Sequence, residues 1–239
     1  MATRKVPIEH RLQSRLLGLK NVRDALERLA GCGKTEVAEI QTRALDPTVD
    51  MSSRVDAITI ILALKRGPRR LLRHLLNSED RTVVIETLKA IKFLSPEWAL
   101  LEIILGVRRF EDSSKRAVFA WALGGYPNEK GAEDALLNVM AKESESTVRD
   151  HAIESLGEFN SQRATETLLH ALGVGTSSER FWAIYSLGNV GDARAAEALS
   201  QYANEQTTIQ GLGTIGDEAR KALEKIGHKN RGEAGEDSQ

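Results

Sequence analysis

One short motif recurs along this chain at intervals of about thirty residues, and that spacing limits the fold more than any other feature. Its copies are VRDALERLAG (22–31), KRAVFAWALGG (115–125), VRDHAIESLGEF (148–159), ERFWAIYSLGNVG (179–191) and EARKALEKIG (218–227). Each places a small residue three or four positions before a Leu or Ile, usually with Gly just after. Two divergent copies, SRVDAITIILAL (53–64) and TVVIETLKAIKF (82–93), fill the gap between the first and second. The marker positions are Leu29, Leu64, Ile91, Leu123, Leu156, Leu187 and Ile226, separated by 35, 27, 32, 33, 31 and 39 residues. Such a unit is too long for a coiled-coil heptad and matches a two-helix hairpin.

Periodicity within a unit says the same. In 147–157, Val148, Ala152, Ile153 and Leu156 form one apolar stripe about a third of a helix circumference wide. A second stripe, Ala164, Leu168, Leu169 and Leu172, follows in SQRATETLLHALGV. The sequence predicts Ser146 or Thr147 as the cap of the first helix, a left-handed Gly157 at its end, and Gly173 as the stop of the second. Ser178 and Asp192 are the expected starts of the next two helices. Ser95-Pro96-Glu97 reads as another start, with Ser at the cap and Pro in the first turn. A single hairpin is too thin to bury its own stripe, so neighbours must stack. The expectation is an all-α fold, a right-handed α-solenoid superhelix of about seven helical hairpins over residues 1–227. Residues 1–20 would form a cap and 228–239 a disordered tail. TTIQGLGTIG (207–216), with its three glycines, is expected to be an ordered but unusual loop.

Composition agrees with helices: aromatic residues are 5% of the chain, and there are only five prolines in 239 residues. No run approaches the roughly 18 apolar residues of a membrane span, and the first residues lack the apolar core of a secretory signal. Cys32 stands alone, which excludes an intrachain disulfide and a cysteine metal cluster. Together these predict a cytoplasmic protein that does not engage a membrane. Charge is polarised: residues 1–120 hold 22 Lys and Arg against 15 Asp and Glu, a net of +7, whereas 121–239 hold 11 against 19, a net of −8. Such polarity bears on partners rather than on fold.

The pattern VRxxAxxxLG, followed by a short turn and a second helix, resembles HEAT-like repeats, and most closely the compact kind found in phycobiliprotein lyases. VRDHAIESLGEF with QRATETLLHAL, and ERFWAIYSLGNVGDARAAEALSQ, carry the resemblance best. It extends over most of 20–227 and is weakest over 50–109. It implies the architecture and leaves the activity open, because the matching residues are packing residues. A chromophore attachment subunit is the alternative function that this repeat variety implies.

Candidate chemistry is sparse. AGCGKTEV (30–37) ends like a nucleotide-binding loop, but Arg28 stands where that loop needs its first glycine, and a helical pattern precedes it instead of a strand. The segment reads as a turn between helices, with Gly31 ending one and Lys34-Thr35 opening the next. The five histidines, His10, His74, His151, His170 and His228, lack the i, i+4 pairing of helical zinc sites. Deoxyhypusine hydroxylases, which are HEAT-repeat enzymes, hold iron on repeated His-Glu pairs; here Ala152 follows His151 and no His-Glu dipeptide occurs. No metal, no other cofactor and no catalytic residue is expected. Glu133, Asp134 and Glu143 read as surface charge at helix ends.

The most distinctive charged stretch is LKRGPRRLLRHLLN (64–77). Turning Leu71, Leu72, Leu75 and Leu76 inward places Arg66, Arg70 and Arg73 on the opposite face. Arg108 and Arg109 end a second helix, the kind that lines the concave side of a solenoid. Arginine forks suit carboxylates and phosphates. HEAT-like alkylpurine DNA glycosylases grip DNA in a groove that is basic along its length, whereas the later second helices here are acidic or neutral. The expected function is therefore a non-enzymatic scaffold or adaptor, with a HEAT-like DNA-binding or alkylpurine DNA glycosylase protein as a further alternative. The scaffold would bind an acidic protein surface through Arg66, Arg70, Arg73, Arg108 and Arg109, with Trp98 as an apolar anchor.

Overall fold

The computed structural model describes residues 34–63 and 69–236. The cap at 1–20, the first repeat helix, Cys32, His10 and Arg66 lie outside that range. The chain divides into two compact units, Met1–Glu102 and Ile103–Gln239.

The first unit contains α1 (Lys34–Leu45), α2 (Met51–Ala63), α3 (Arg69–Leu76), α4 (Arg81–Leu94), a 3-10 turn (Glu97–Ala99) and the start of α5 (Leu100–Arg109). α1 includes Lys34 and Thr35, the residues expected to open a helix, while Gly31 and Gly33 lie outside the described residues. α2 packs on both α1 and α4, and α3 packs on α4. Leu71, Leu72, Leu75 and Leu76 of α3 are all buried, so the inward face read from the sequence is the one the helix uses. Asp80 caps α4 by accepting from the Thr82 N–H at 2.9 Å. Ser95 ends α4 instead of starting the next helix. It sits in the left-handed region (φ 46°) and its N–H donates to the Ile91 carbonyl. The proline after it blocks further helix and leads into the 3-10 turn.

The second unit continues α5 and adds α6 (Ser113–Leu123), α7 (Lys130–Lys142), α8 (Ser146–Leu156), α9 (Gln162–Val174), α10 (Ser177–Val190), α11 (Ala195–Ser200) and α12 (Ile215–Glu236). The first helices of successive pairs, α6, α8, α10 and α12, stack one on the next. Among the described residues the chain thus holds five complete helix pairs, with α1 and α12 as single helices at the two ends. Within each unit the helices pack as stacked hairpins, the all-α arrangement that the repeat implies. Marker residues Ile91, Leu123, Leu156, Leu187 and Ile226 are all buried. Each such side chain removed from water contributes about 1.5–3 kcal/mol.

Close contact between first helices explains the glycines better than helix capping does. Gly157 is right-handed (φ −63°, ψ −13°), not left-handed as the sequence suggested. A Cβ built on it would lie 2.7 Å from Cβ and 2.8 Å from Cα of Ser186 on α10. One repeat later, a Cβ on Gly188 would lie 2.8 Å from Cα of Ala222 on α12. The serine of each Ser-Leu-Gly triplet secures the approach. Ser155 donates to the Trp121 carbonyl at 3.0 Å and Ser186 to the Ile153 carbonyl at 2.9 Å. The left-handed cap falls instead at Gly191 (φ 75°), and Gly173 lies inside α9. α8 starts at Ser146 without a side-chain cap, whereas α10 is capped by Thr176 with Glu179 closing a reciprocal box.

The loop at 207–216 is a small antiparallel hairpin, β1 (Thr208–Ile209) with β2 (Gly213–Thr214), in register Thr208 to Thr214. Gly211 and Gly213 both have positive φ, which accounts for two of its glycines. α12 runs on to Glu236, past the point at which the repeat pattern fades. Lys225 and Lys229 tie it back to Asn189 Oδ1 (3.0 Å) and the Val190 carbonyl (2.6 Å).

Candidate functional site

In four of the five described helix pairs, an arginine of the first helix is committed to holding the repeats together. Arg54 of α2 donates to the Ala44 carbonyl and pairs with Asp80 at 3.4 Å. Arg116 of α6 donates to the Phe110 and Glu111 carbonyls, at 3.0 and 2.6 Å, and pairs with Glu143 at 3.0 Å. Arg149 of α8 donates to the Met140 carbonyl at 2.7 Å and pairs with Glu179. Arg180 of α10 donates to the Leu172 carbonyl at 3.2 Å and approaches Glu205 at 3.9 Å. In each case the guanidinium satisfies carbonyls at the end of the preceding helix and reaches an acid farther along the chain. Burial alone would raise the Glu143 carboxyl; the hydrogen bonds from Arg116 and from the Glu145 and Ser144 N–H groups hold it below the usual range. Glu133, expected as surface charge, is likewise buried, accepting from Ser161 and facing Arg163 at 3.5 Å.

Once these arginines are assigned to packing, the remaining cations are unevenly spread. In the second unit a cleft of about 340 Å³ opens between the ends of α5 and α7 and the start of α6. Val107, Phe110 and Val139 form its apolar wall, and Arg108, Asn138, Lys142 and the Arg116–Glu143 pair its polar one. Arg108 and Lys142 sit in last helical turns, where a cation suits the carbonyl end of the helix dipole. Both are exposed, and neither has an ion-pair partner among the described residues. Phe110 stacks on Phe119 at 5.3 Å, with the Arg109 guanidinium 4.9 Å and the Lys115 ammonium 5.2 Å from its ring centre. Beside the cleft, Leu105 of α5 is 46% exposed.

Farther along the same series of second helices the cations are already neutralised. Arg163 of α9 pairs with Asp134 at 2.7 Å, and Arg194 before α11 pairs with Asp192 at 2.5 Å. In the first unit, Arg70 of α3 is exposed and points away from the buried leucines. Arg73 bridges the buried Glu102 at 2.6 Å, so its charge is balanced within the protein even though 56% of its side chain is exposed. Trp98 is half-buried in the 3-10 turn. Lys142 was not singled out from the sequence, yet it falls 33 residues after Arg109, one repeat on. That spacing was the available signal.

On the first helices, Trp121 donates to Glu154 at 3.0 Å and His151 lies 3.3 Å from the same carboxylate. Trp182 meets Phe181 and Tyr185 edge-on, and Lys225 lies over Tyr185. Among the described residues no group of three or more His, Cys, Asp or Glu is arranged to hold a metal ion. No described helix is long and apolar enough to cross a membrane.

Residues 99–187 and 133–209 match the family described as HEAT repeats. No curated protein matches the chain. Among solved structures, a designed armadillo repeat protein is 13% identical, with 80% of this chain and 99% of that one covered and a TM-score of 0.45. Human deoxyhypusine hydroxylase in complex with glycerol is 16% identical, covering 92% and 84%, with a TM-score of 0.43. The CpcE–CpcF phycocyanin lyase complex from Nostoc is 16% identical, covering 95% and 97%, with a TM-score of 0.40.

Proposed function

We propose that this HEAT-like repeat protein is a non-enzymatic, cytoplasmic scaffold or adaptor that binds another protein through its second helices. The observation that carries the reading is the contrast in charge use. Arg163 and Arg194 are neutralised by neighbouring acids, while Arg108 and Lys142 are left without one among the described residues. Unpaired cations on a stacked, rigid surface supply long-range attraction and orientation for an acidic partner, with affinity concentrated in a few anchors. Arg108 and Arg109 serve this role in the second unit. In the first unit, Arg66 and Arg70 are the proposed contacts and Trp98 the apolar anchor. Arg73 joins them through the exposed part of a side chain that also holds Glu102.

Affinity purification of the tagged protein followed by mass spectrometry tests this. A reproducible protein partner that elutes as salt is raised is the expected result. Recovery of nucleic acid without any reproducible protein would overturn it.

A further inference from the structure

We infer that the cleft between the ends of α5 and α7 is a docking site for a short acidic segment of a protein partner, one carrying a medium-sized apolar residue beside its carboxylates. The inference rests on the scaffold reading and names the chemistry of the contact.

Two features select this ligand. Arg108 and Lys142 both line the opening and have no ion-pair partner among the described residues, while the third cation, Arg116, is taken up by Glu143 and the Phe110 and Glu111 carbonyls. The cleft therefore carries two uncompensated positive charges, and two carboxylates of a bound segment restore balance. Behind the charges, Val107, Phe110 and Val139 form an apolar wall in a volume of about 340 Å³, enough for one leucine- or phenylalanine-sized side chain together with the adjacent backbone. A purely acidic ligand would leave that wall wet, and a purely apolar one would leave the cations unpaired.

The same surface argues against nucleic acid. A phosphate backbone requires a row of cations, since each neutralised phosphate adds to affinity by releasing counterions. The neighbouring second helices interrupt such a row. Arg163 is bound by Asp134, Arg194 is bound by Asp192, and Glu166 and Glu197 lie exposed beside them. A strand leaving the cleft toward α9 would meet carboxylates.

The test is selection of random twelve-residue peptides displayed on phage against the full chain, followed by fluorescence anisotropy with the enriched peptides. Enriched sequences are expected to place Asp or Glu within two residues of Leu, Phe, Ile or Met. Their affinity should fall about tenfold or more in R108E/K142E and by less in R108Q/K142Q. It should be unchanged in R81E/K130E, a charge-matched control at two helix starts where a carboxylate suits the dipole. Melting curves of each variant establish that it folds, and the glutamine pair serves if the reversed pair does not. Failure to enrich any acidic-apolar sequence, or peptides that bind R108E/K142E as tightly as the native protein, would overturn the cleft assignment while a protein recovered by affinity purification would still support a scaffold. Duplex DNA that binds more tightly than any peptide and depends on the same two cations would overturn both.

Discussion

Replacing Gly157 distinguishes two reasons for a glycine at the end of a repeat helix. Where a glycine is needed for a left-handed backbone, Asn is tolerated better than Ala. Where it is needed because another helix passes close by, the larger Asn is worse. Gly157 has ordinary helical angles, and a Cβ there would meet Ser186 Cβ at 2.7 Å and its Cα at 2.8 Å. Because Cα is backbone, no rotamer change relieves the clash. α10 must shift, stretching the 2.9 Å bond from Ser186 to the Ile153 carbonyl. Overpacking of this kind costs about 1–3 kcal/mol, offset by about 0.4–1 kcal/mol from the reduced freedom of the unfolded chain. Gly157→Ala is thus expected to destabilise by about 1–2 kcal/mol, which lowers the melting temperature by roughly 2–8 °C for a domain of this size. Gly157→Asn should be lower still. Gly173→Ala is the internal control: it lies in α9 with nothing within 4 Å of the added methyl, and should stabilise by up to about 1 kcal/mol. Circular dichroism at 222 nm during thermal and urea unfolding reads all three. Gly157→Ala melting with the native protein, or Gly157→Asn melting above Gly157→Ala, would refute the close-approach account.

Other expectations follow from the same contacts. Arg149→Ala leaves Glu179, 4% exposed, without its ion partner, and the loss of one member of a buried pair costs about 3–5 kcal/mol; urea midpoints should show it as the most damaging of the repeat-arginine substitutions. Arg194→Ala breaks a pair in which the arginine is 60% exposed, and should move the same midpoint by less than about 1 kcal/mol. Asp150 is held above its usual pKa of 3.8, chiefly by burial and also by Glu179, against the hydrogen bond from Ser178 and the charges of His151 and Arg149; its Oδ1 has no hydrogen-bond partner. A raised carboxyl favours the folded state below its unfolded pKa and loses that contribution as pH rises through the folded one. Asp150→Asn should therefore melt above the native protein at pH 7, with the difference shrinking below about pH 4.

Much of the fold was legible because the repeat writes the same physics several times. A leucine or isoleucine at each marker position is legible as core, and the structure buries every one it describes. Helix ends were harder to read. Ser95, Thr176 and Gly157 all have cap-compatible chemistry, but which one caps depends on where the neighbouring helix lies, and Gly157 answers to Ser186 twenty-nine residues away. Charge was harder still. Arg116 and Arg149 share the arginine position of the repeat motif, but nothing in the sequence ties them, or Arg73, to their acids Glu143, Glu179 and Glu102, which lie 27 to 30 residues on. Only the packed structure separates the arginines that brace repeats from those left facing outward.

The most direct test of the claim that the unpaired cations carry partner binding is a quantitative pull-down in which the native protein is compared with R108E/K142E and R81E/K130E at one salt concentration. The account predicts that partner recovery falls about tenfold with the first pair and holds with the second. Equal recovery from all three proteins would contradict it, because the unpaired cations of the α5–α7 cleft would then play no part in binding.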